Sequence, residues 1–389
     1  MIYLILSIGQ RNKKRGIIME RIYTKSELVE MWKRPLDVQY QVTISKMLEA
    51  ITNTNGDIKI SFSGGKDSCL ILDLYCQIVS EILVKYKDKP IEVLFANTTN
   101  ETRNMLDFIK WFIPYEENKW GVKINMTEVR PKNNLSWAKF VKENGIPLIT
   151  KQQAKFIRTI KKDVLSNGCD LKKLYTLYKG GEQAVKEMID MGFSKSSILH
   201  ITGYVSSRNH FGKTFFIAKK WLPMVYCPVD LSEQCCVNIK ENPLKKLSGE
   251  NIITGEQASE SITRENAYLR TGCNIRMSDG TYKSKPLGAM TLDGVLYSIK
   301  KRNIPICTDY GNIVVDSEGH YHCTKTNRTG CALCGFGCQY DTERFLRVAE
   351  NEPQKIKFAF KSKENGGAGY GDAIEYMNEY CGTKVAIPK

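Results

Sequence analysis

Histidine and long apolar runs are both scarce in this chain, and each shortage excludes a class of protein. Only 4 of the 389 residues are histidine, so a histidine-rich metal centre is not expected. No stretch approaches the ~18 consecutive apolar residues that a membrane-spanning helix needs. An export signal is also missing, because the basic residues near the start follow the short apolar run instead of preceding it. We therefore expect a cytoplasmic protein with no membrane partner.

We expect the protein to start at Met19, which opens a more ordinary beginning, Met-Glu-Arg-Ile-Tyr. Residues 1–19 are accordingly interpreted as a dispensable extension or a misplaced start codon. The chain has 13 cysteines, an odd number, and disulfides are not expected without export. Metal binding or catalysis is the better expectation for the clustered cysteines.

Positive charge is what the chain has in excess, with 57 Lys and Arg against 42 Asp and Glu, a net charge of +15. Such an excess fits a polyanionic partner, which includes nucleotides, nucleic acids and acidic proteins. Ten of these basic residues fall in residues 151–200, a helix-like stretch that is interpreted as an insertion. Lys151, Lys155, Arg158 and Lys162 share one predicted helix face, which would either follow a phosphate backbone or simply face solvent.

The most informative segment is Ser63-Gly64-Gly65-Lys66-Asp67-Ser68, which separates an apolar strand from a long amphipathic helix. Two glycines allow a turn with positive φ and close approach of a phosphate. Free N–H groups at the helix start, together with the charge of Lys66, would hold that phosphate. Asp67 can hold Mg²⁺. The alternative is a surface turn that happens to contain two glycines.

Strands and helices alternate through the first half of the chain, which predicts an α/β fold with a mostly parallel sheet. Further strands are predicted at residues 91–96 and 122–129. Thr98, Thr99 and Glu101 follow the first of these, and they are expected near the glycine turn because ligands bind at the carboxyl ends of strands. Helix capping is the alternative role for these side chains. Residues 221–230 are predicted to form a strand and a turn.

Five cysteines form a second group: Cys235-Cys236, Cys331-x-x-Cys334 and Cys338. Two thiolates in a Cys-x-x-Cys segment can close on one tetrahedral ion or on one corner of a cluster. Spacing alone leaves Zn²⁺ and an iron–sulfur cluster both open. Buried, inert thiols are the remaining alternative.

Four motifs, in order, resemble the ATP-pyrophosphatase and phosphoadenosine phosphosulfate (PAPS) reductase superfamily. They are the glycine turn, the double cysteine with Lys240 and Pro243, the loop Thr254-Gly255-Glu256-Gln257-Ala258-Ser259-Glu260-Ser261-x-x-Arg264, and the second cysteine pair. The resemblance is to the iron–sulfur sulfonucleotide reductase branch and covers about residues 40–345.

The resemblance implies a Rossmann-like sheet of the adenine nucleotide α-hydrolase type and a PAPS reductase-like domain at residues 20–345. It also implies a cysteine-rich segment at 307–340, a tail at 346–389 and a [4Fe–4S] cluster on Cys235, Cys236, Cys331 and Cys334. Cys338 and Cys323 depart from the family pattern as extra cysteines, and either would replace Cys235 as a ligand or act as a sulfur carrier. Catalytic roles would fall to Lys66, Asp67, Arg264 and Cys381. The implied nucleotide site comprises Ser61, Ser63, Gly64, Gly65, Lys66, Asp67, Ser68, Thr98 and Gly255.

Three departures from the reductase pattern bear on the reaction. Lys66-Asp67-Ser68 is intact, as in members that cleave ATP into AMP and pyrophosphate. Glu256-Gln257 replaces the usual residues of the arginine loop. Cys381 precedes a glycine, as the reductase nucleophile does, but seven more residues follow that glycine, and a helix ending in Cys-Gly is the alternative.

Three functions therefore stay open. The first is a reductase of adenylyl sulfate or PAPS that uses a cysteine nucleophile. The second is an ATP- and Mg²⁺-dependent sulfurtransferase that acts on nucleic acid or a small molecule, as in DNA phosphorothioation. The third is a non-enzymatic nucleotide- or nucleic-acid-binding protein with a structural metal. The expected partners are an adenine nucleotide, a thiol or electron-donor protein, nucleic acid, and a second copy of the chain.

Overall fold

The computed structural model describes residues 21–205, 210–212, 215–245 and 249–388, so the expected extension at residues 1–19 lies outside the described residues. The described strands are short. They are β1 (Lys59–Phe62), β2 (Ile91–Ala96), β3 (Ile124–Val129), β4 (Leu148–Ile149), β5 (Tyr204–Val205), β6 (His210–Phe211), β7 (Ile252–Ile253), β8 (Asn274–Arg276), β9 (Tyr282–Ser284), β10 (Ile313–Val315), β11 (Tyr321–Cys323) and β12 (Gly335–Phe336).

Helices surround these strands. They are α1 (Lys25–Trp32), α2 (Leu36–Asn53), α3 (Lys66–Gln77), α4 (Arg103–Trp120), α5 (Trp137–Asn144), α6 (Lys151–Asn167), α7 (Leu171–Leu177), α8 (Gly181–Asp190), α9 (Lys195–Thr202), α10 (Asn242–Lys245), α11 (Ile262–Thr271), α12 (Leu292–Lys301), α13 (Arg344–Asn351), α14 (Pro353–Phe360) and α15 (Tyr370–Cys381). In the part of the chain that the structure describes, no helix is both long enough and apolar enough to span a bilayer.

The central sheet has six strands in the order β3-β2-β1-β7-β9-β8, and every neighbouring pair is parallel except β8 with β9. After β1, the chain adds β2 and β3 on one side of β1, and it later adds β7 on the other side of β1. The loop after β1 therefore stands where the strand order reverses, which is the usual ligand position in such sheets. The predicted α/β fold with a mostly parallel sheet is confirmed.

The glycine loop is held in place by the strand before it and the helix after it. Ile60 and Phe62 of β1 are buried, and they alternate along the strand with partly exposed residues. In α3, Leu70, Ile71 and Leu74 are buried at steps of one and three, so the helix lies against the sheet along most of its length. Burial on this scale fixes the direction in which α3 begins.

Two large hydrophobic clusters divide the described residues. The first, which we call the sheet core, contains β1–β3, α3 and α12, together with Tyr310 and Cys323. The second, the helical core, draws on residues 137–239 and 332–385. The stretch expected to be an insertion, 151–200, forms α6–α9 and packs in the helical core. The residues around the expected tail, 346–389, contribute α13–α15 to the same core.

One local prediction was wrong. Residues 221–230 were expected to form a strand, but a 3₁₀ helix runs over Lys219–Tyr226. Pro223 lies inside it and lacks the N–H that a ladder would need. The helical core buries four apolar residues of this segment, Trp221, Leu222, Met224 and Val225. A continuous apolar run of this kind is compatible with a buried strand and with a buried 3₁₀ helix, so the sequence pattern does not distinguish them.

Candidate functional site

The glycine loop joins the carboxyl end of β1 to the first turn of α3. Gly64 has φ +70°, and a Cβ there would lie 2.5 Å from Met105 Sδ, so a side chain does not fit. Gly65 is the N-cap of α3 and offers no side chain to the first-turn N–H groups. Ser68 Oγ closes the loop by donating to the Gly65 carbonyl oxygen at 2.8 Å and accepting the Ser63 N–H at 3.2 Å.

The first two residues of α3 form a close ion pair. Lys66 Nζ lies 2.9 Å from both carboxylate oxygens of Asp67, and Lys66 is only 4% exposed. Gln257 Nε2 donates to Asp67 Oδ1 at 2.6 Å. A Cβ on Gly255 would lie 3.1 Å from the Asp67 carbonyl carbon, so the backbone of that loop packs directly on the glycine loop. The structure thus brings Lys66, Asp67 and Gly255 together.

A tyrosine that the sequence analysis missed lies against the same loop. The Lys66 backbone N–H donates to Tyr310 Oη at 3.1 Å, and Thr329 Oγ1 donates to that oxygen at 2.6 Å. Burial, and then the nearby Asp67 carboxylate, raise the pKa of the Tyr310 phenol, so it stays neutral. Tyr310 is 244 positions from Lys66, and no local pattern in the sequence indicates the contact.

Arg264 lies close to the glycine loop and pairs with Glu260 one turn before it. Burial lowers the pKa of Arg264, and the charges of Glu256 and then Asp67 act in the opposite direction. Arg328 is 3.8 Å from Glu260 and adds a second guanidinium beside the first. Arg264 is therefore within electrostatic reach of Asp67, and Arg328 of Arg264. Arg328 was not among the predicted site residues.

Thr98 occupies the turn after β2, where it contacts the second cysteine pair. Its Oγ1 donates to Glu101 Oε1 at 2.6 Å and lies 3.4 Å from Cys331 Sγ. The N-cap of α4 is Thr102, which is not one of the three side chains considered for capping. Ser61 lies within β1 opposite Leu94 of β2, two residues before the loop.

The two cysteine pairs, distant in sequence, come into one neighbourhood. Burial raises the pKa of Cys235, and the thiols of Cys331, Cys236 and Cys334 then raise it further. Cys334 is likewise within electrostatic reach of Cys236. The backbone N–H groups of Ala332 and Leu333 donate to Asn100, which ties the Cys331–Cys334 turn to the end of β2.

The donor set at this place is all sulfur and is surrounded by positive charge. Lys151 is within electrostatic reach of Cys235 and Cys334, Lys240 of Cys331, and Arg344 of Cys334. Such cations offset the charge of several thiolates, so the residues fit a soft, thiolate-bound group. Within the described ranges, however, no three His, Cys, Asp or Glu side chains are already close enough together to hold a metal ion.

The remaining predicted cysteines lie in three different places. Cys338 is fully buried beside Cys334, and burial raises its pKa to about 11. Cys323 is buried in the sheet core within electrostatic reach of Lys66. Cys381 ends α15 before Gly382, which has φ +63°. It packs against the helical core, where burial and then Cys227 raise its pKa to about 11.

The basic face of α6 is partly paired within the chain. Arg158 donates twice to the Glu233 carboxylate, at 3.0 and 2.7 Å, and Lys151 lies 3.9 Å from Glu241. Lys161, which the sequence analysis did not single out, pairs with Asp230 at 2.8 Å. Much of the local positive charge is thus balanced by acidic residues that follow in sequence.

A mostly parallel α/β sheet with a glycine loop at its switch point defines a Rossmann-like fold. The family model of the phosphoadenosine phosphosulfate reductase domain matches residues 57–326. The chain belongs to this family. The match includes the glycine loop, Arg264 and Cys235-Cys236, and it ends before Cys331.

Two solved structures are similar to the chain at low identity. One is a phosphoadenylyl-sulfate (PAPS) reductase from Candida auris in a phosphate complex, with 12% identity and a TM-score of 0.33, covering 77% of this chain and 98% of that one. The other is an FMN adenylyltransferase from Candida glabrata with FMN and the ATP analogue AMPCPP, with 13% identity and a TM-score of 0.32, covering 74% and 66%. No curated protein matches the chain.

Proposed function

We propose that the chain binds an adenine nucleotide at residues 63–68 and acts at its α-phosphorus as the first step of a sulfur transfer. The observation that carries this proposal is the Lys66–Asp67 pair at the first turn of α3, held by Gln257. The pair stands at the carboxyl end of β1, where a parallel sheet binds ligands. A loop with no such task would not need a buried lysine beside two glycines.

In the proposed site, each residue has a separate task. Lys66 and the N–H groups of the loop stabilise negative charge on the phosphates, and Arg264 adds a second cation from the facing loop. Asp67 would hold Mg²⁺ when it exchanges its bond with Lys66 for the metal. Gly255 keeps the facing loop close. Ser61, Ser63, Ser68 and Thr98 are proposed to line the nucleotide site.

The proposed reaction begins with ATP. An oxygen of the acceptor attacks the α-phosphorus and the bond to the bridging oxygen of the pyrophosphate breaks, so the acceptor becomes adenylylated. Lys66 stabilises the charge that collects on the departing pyrophosphate. A sulfur nucleophile then displaces AMP from the acceptor.

The sulfur carrier would be a cysteine persulfide loaded by an external sulfur donor, whose outer sulfur bonds to the acceptor as AMP leaves. An external thiol then attacks the carrier sulfur and releases the thiolated acceptor, and a second external thiol reduces the resulting disulfide. Cys323, within electrostatic reach of Lys66, and Cys338 are the two candidate carriers.

We propose Cys235, Cys236, Cys331 and Cys334 as the ligands of a [4Fe–4S] cluster. When bound, such a cluster would supply electrons or hold sulfur for transfer. The chain's own contribution is to gather the thiols, to surround them with Lys151, Lys240 and Arg344, and to fix the second pair through Asn100. Cys338 is the alternative ligand because it is buried next to Cys334.

The second candidate is reduction of PAPS or adenylyl sulfate, which family membership favours. That reaction needs a thiolate that attacks the sulfate sulfur, with AMP or its 3′-phosphate as leaving group, and an external thiol or electron-donor protein that releases sulfite. Cys381 is the residue proposed for this role from the sequence. The groups around its thiol are Cys227, Met224 and Lys220, none of which belongs to the glycine loop or to the proposed cluster, and this position favours the first reaction.

An anaerobic assay separates the candidates. Pyrophosphate released from ATP supports the sulfur-transfer function, and sulfite released from PAPS or adenylyl sulfate with a thiol donor supports the reductase. We expect K66Q to lower pyrophosphate release at least 100-fold, whereas K59Q, a lysine of β1 paired with Glu250, stays within twofold of wild type. C381S is expected to leave pyrophosphate release unchanged. Binding of nucleotide without either product would indicate the non-enzymatic alternative.

The acceptor, the domain limits and the partners are also proposals. The net charge favours a nucleic acid or another polyanion as acceptor. We propose residues 20–345 as the family domain. Within that domain, residues 151–200 are an inserted helical unit and residues 307–340 are the cysteine-rich segment. A homodimer remains part of the proposal, to be tested by the molecular mass in solution.

A further inference from the structure

A cavity of about 80 Å³ lies between the cysteine segment and α13, next to the glycine loop. One wall runs from Lys325 through Cys331, and Arg344 belongs to the opposite wall. Thr329 also lines the cavity and bonds to Tyr310, which in turn accepts the Lys66 N–H. The cavity is thus two hydrogen bonds from the nucleotide loop and in contact with a proposed cluster ligand.

The acidic and the basic side chains that line the cavity differ in how many of them have ion-pair partners. On the acidic side, Asp341 pairs with Arg347, and Asp309 accepts hydrogen bonds from Thr102 and Asn104. Asp341 is thus balanced by a cation, whereas Asp309 keeps its charge, and Glu350 is a third carboxylate of the lining, at an exposed position.

The walls carry four cations, of which Arg347 pairs with Asp341 and Arg328 lies 3.8 Å from Glu260. The other two lack such partners. Among the described residues, neither Arg344 nor Lys325 forms an ion pair. Arg344 Nε is buried without an acceptor, and its Nη2 makes only a long contact of 3.4 Å with the Cys331 carbonyl oxygen. A guanidinium left in this state is costly unless an anion joins it.

We propose that this cavity binds a phosphate group of the second substrate, the molecule that receives the sulfur. An 80 Å³ space holds a few heavy atoms, so it takes a phosphate group and not a second nucleotide. The guanidinium of Arg344 offers paired donors to such an oxyanion, and Lys325 adds a point charge. The role as an acceptor site rests on the proposed function, whereas the affinity of the cavity for phosphate does not.

The test is a calorimetric titration of the full chain with inorganic phosphate in the presence of saturating AMPCPP, which fills the glycine loop under the proposed function. We expect wild type to bind phosphate, R344Q to bind it at least tenfold more weakly, and R344K to fall between them. K325Q, at an exposed position that tolerates change, is expected to weaken binding several-fold. K357Q on α14 is the matched control and should equal wild type.

Three outcomes overturn the proposal: no phosphate binding, binding that AMPCPP abolishes, or binding that R344Q and K325Q leave unchanged. If R344Q does not fold, K325Q and R344K decide the question. If AMPCPP itself does not bind, the proposed function has failed, but phosphate binding that is retained in K66Q and lost in R344Q still places the anion in the cavity.

Discussion

The sheet core and the helical core build their sites in opposite ways. On the sheet side, the glycine loop is one continuous segment between β1 and α3, and its geometry follows from neighbouring residues. On the helical side, the thiols come from positions 235–236 and 331–334, and the turn after β2 helps to fix the second pair. A local site can be recognised from its motif, whereas an assembled site depends on the packing of everything between its parts.

The two sites also differ in the charge that they contain. The glycine loop keeps Lys66 and Asp67 paired, so it is balanced before a ligand arrives. In the cysteine neighbourhood, burial raises the pKa values of the thiols and so keeps them neutral. Three cations, Lys151, Lys240 and Arg344, surround these neutral thiols. Such a place gains most from a ligand that turns the thiols into thiolates.

Among variants that compare the two sites, the largest expected effect is a loss of one site without the other. In the double variant C331S/C334S, iron and acid-labile sulfide of the anaerobically purified protein should fall at least tenfold, because two of four proposed ligands are lost. Affinity for AMPCPP should change less than about twofold, because the glycine loop is local.

The matched control is C169S, another buried cysteine of the helical core, which should keep its iron. Equal iron in C331S/C334S and wild type would contradict the ligand assignment. Loss of AMPCPP binding together with iron would show that the two sites are one folding unit.

A smaller effect tests how tightly the local site is packed. In G64A the new Cβ would meet Met105 Sδ at 2.5 Å in a backbone conformation with φ +70°. We expect the free energy of unfolding to fall by about 2–4 kcal/mol in urea titrations, the sum of overpacking and left-handed strain.

G168A isolates the second term. Gly168 has φ +60° at the end of α6, and nothing lies within 4 Å of the position that a Cβ would take there, so the cost should be about 1 kcal/mol. Similar losses for the two variants would mean that the contact with Met105 relaxes freely.

The smallest predicted effect depends on pH and concerns the sheet side. Glu116 of α4 is fully buried, and burial, followed by the neighbouring Asp73 carboxylate, raises its pKa to about 8. The folded state then binds more protons than the unfolded state between about pH 4.5 and 8, so stability falls as pH rises through this range. E116Q should remove that fall and exceed wild type by about 1–3 kcal/mol at pH 9.

The control for E116Q is D107N, an exposed carboxylate on the same helix, which should keep the wild-type pH profile. Stability is measured by urea unfolding at pH 6 and pH 9. A wild-type curve that is flat between these values would show that Glu116 ionises like an ordinary carboxyl group.

Much of the sheet side could be predicted because its signals are short in range. The strand at residues 91–96 coincides with β2, and the glycine segment leads into α3 as expected. Each prediction uses only neighbouring residues: apolar alternation, two glycines, and apolar steps along one helix face.

The misses involve contacts between distant residues. Tyr310 and Thr329 reach the glycine loop from a segment far along the chain, and nothing in their own surroundings marks them. Gln257 was noted only as a departure from the family pattern, yet it donates to Asp67. The strand expected at residues 221–230 failed because burial on all sides erases the periodicity that separates strand from helix.

The two-residue pairing of β12 with β4 has a consequence for the order in which the molecule assembles. Gly335 has no room for a side chain, since a Cβ would lie 2.4 Å from the Pro147 carbonyl oxygen. The segment next to Cys334 therefore docks only against a partner laid down far earlier in the chain. Pairings between segments this far apart in sequence form slowly, so we expect the Cys331–Cys334 turn to reach its place late in folding.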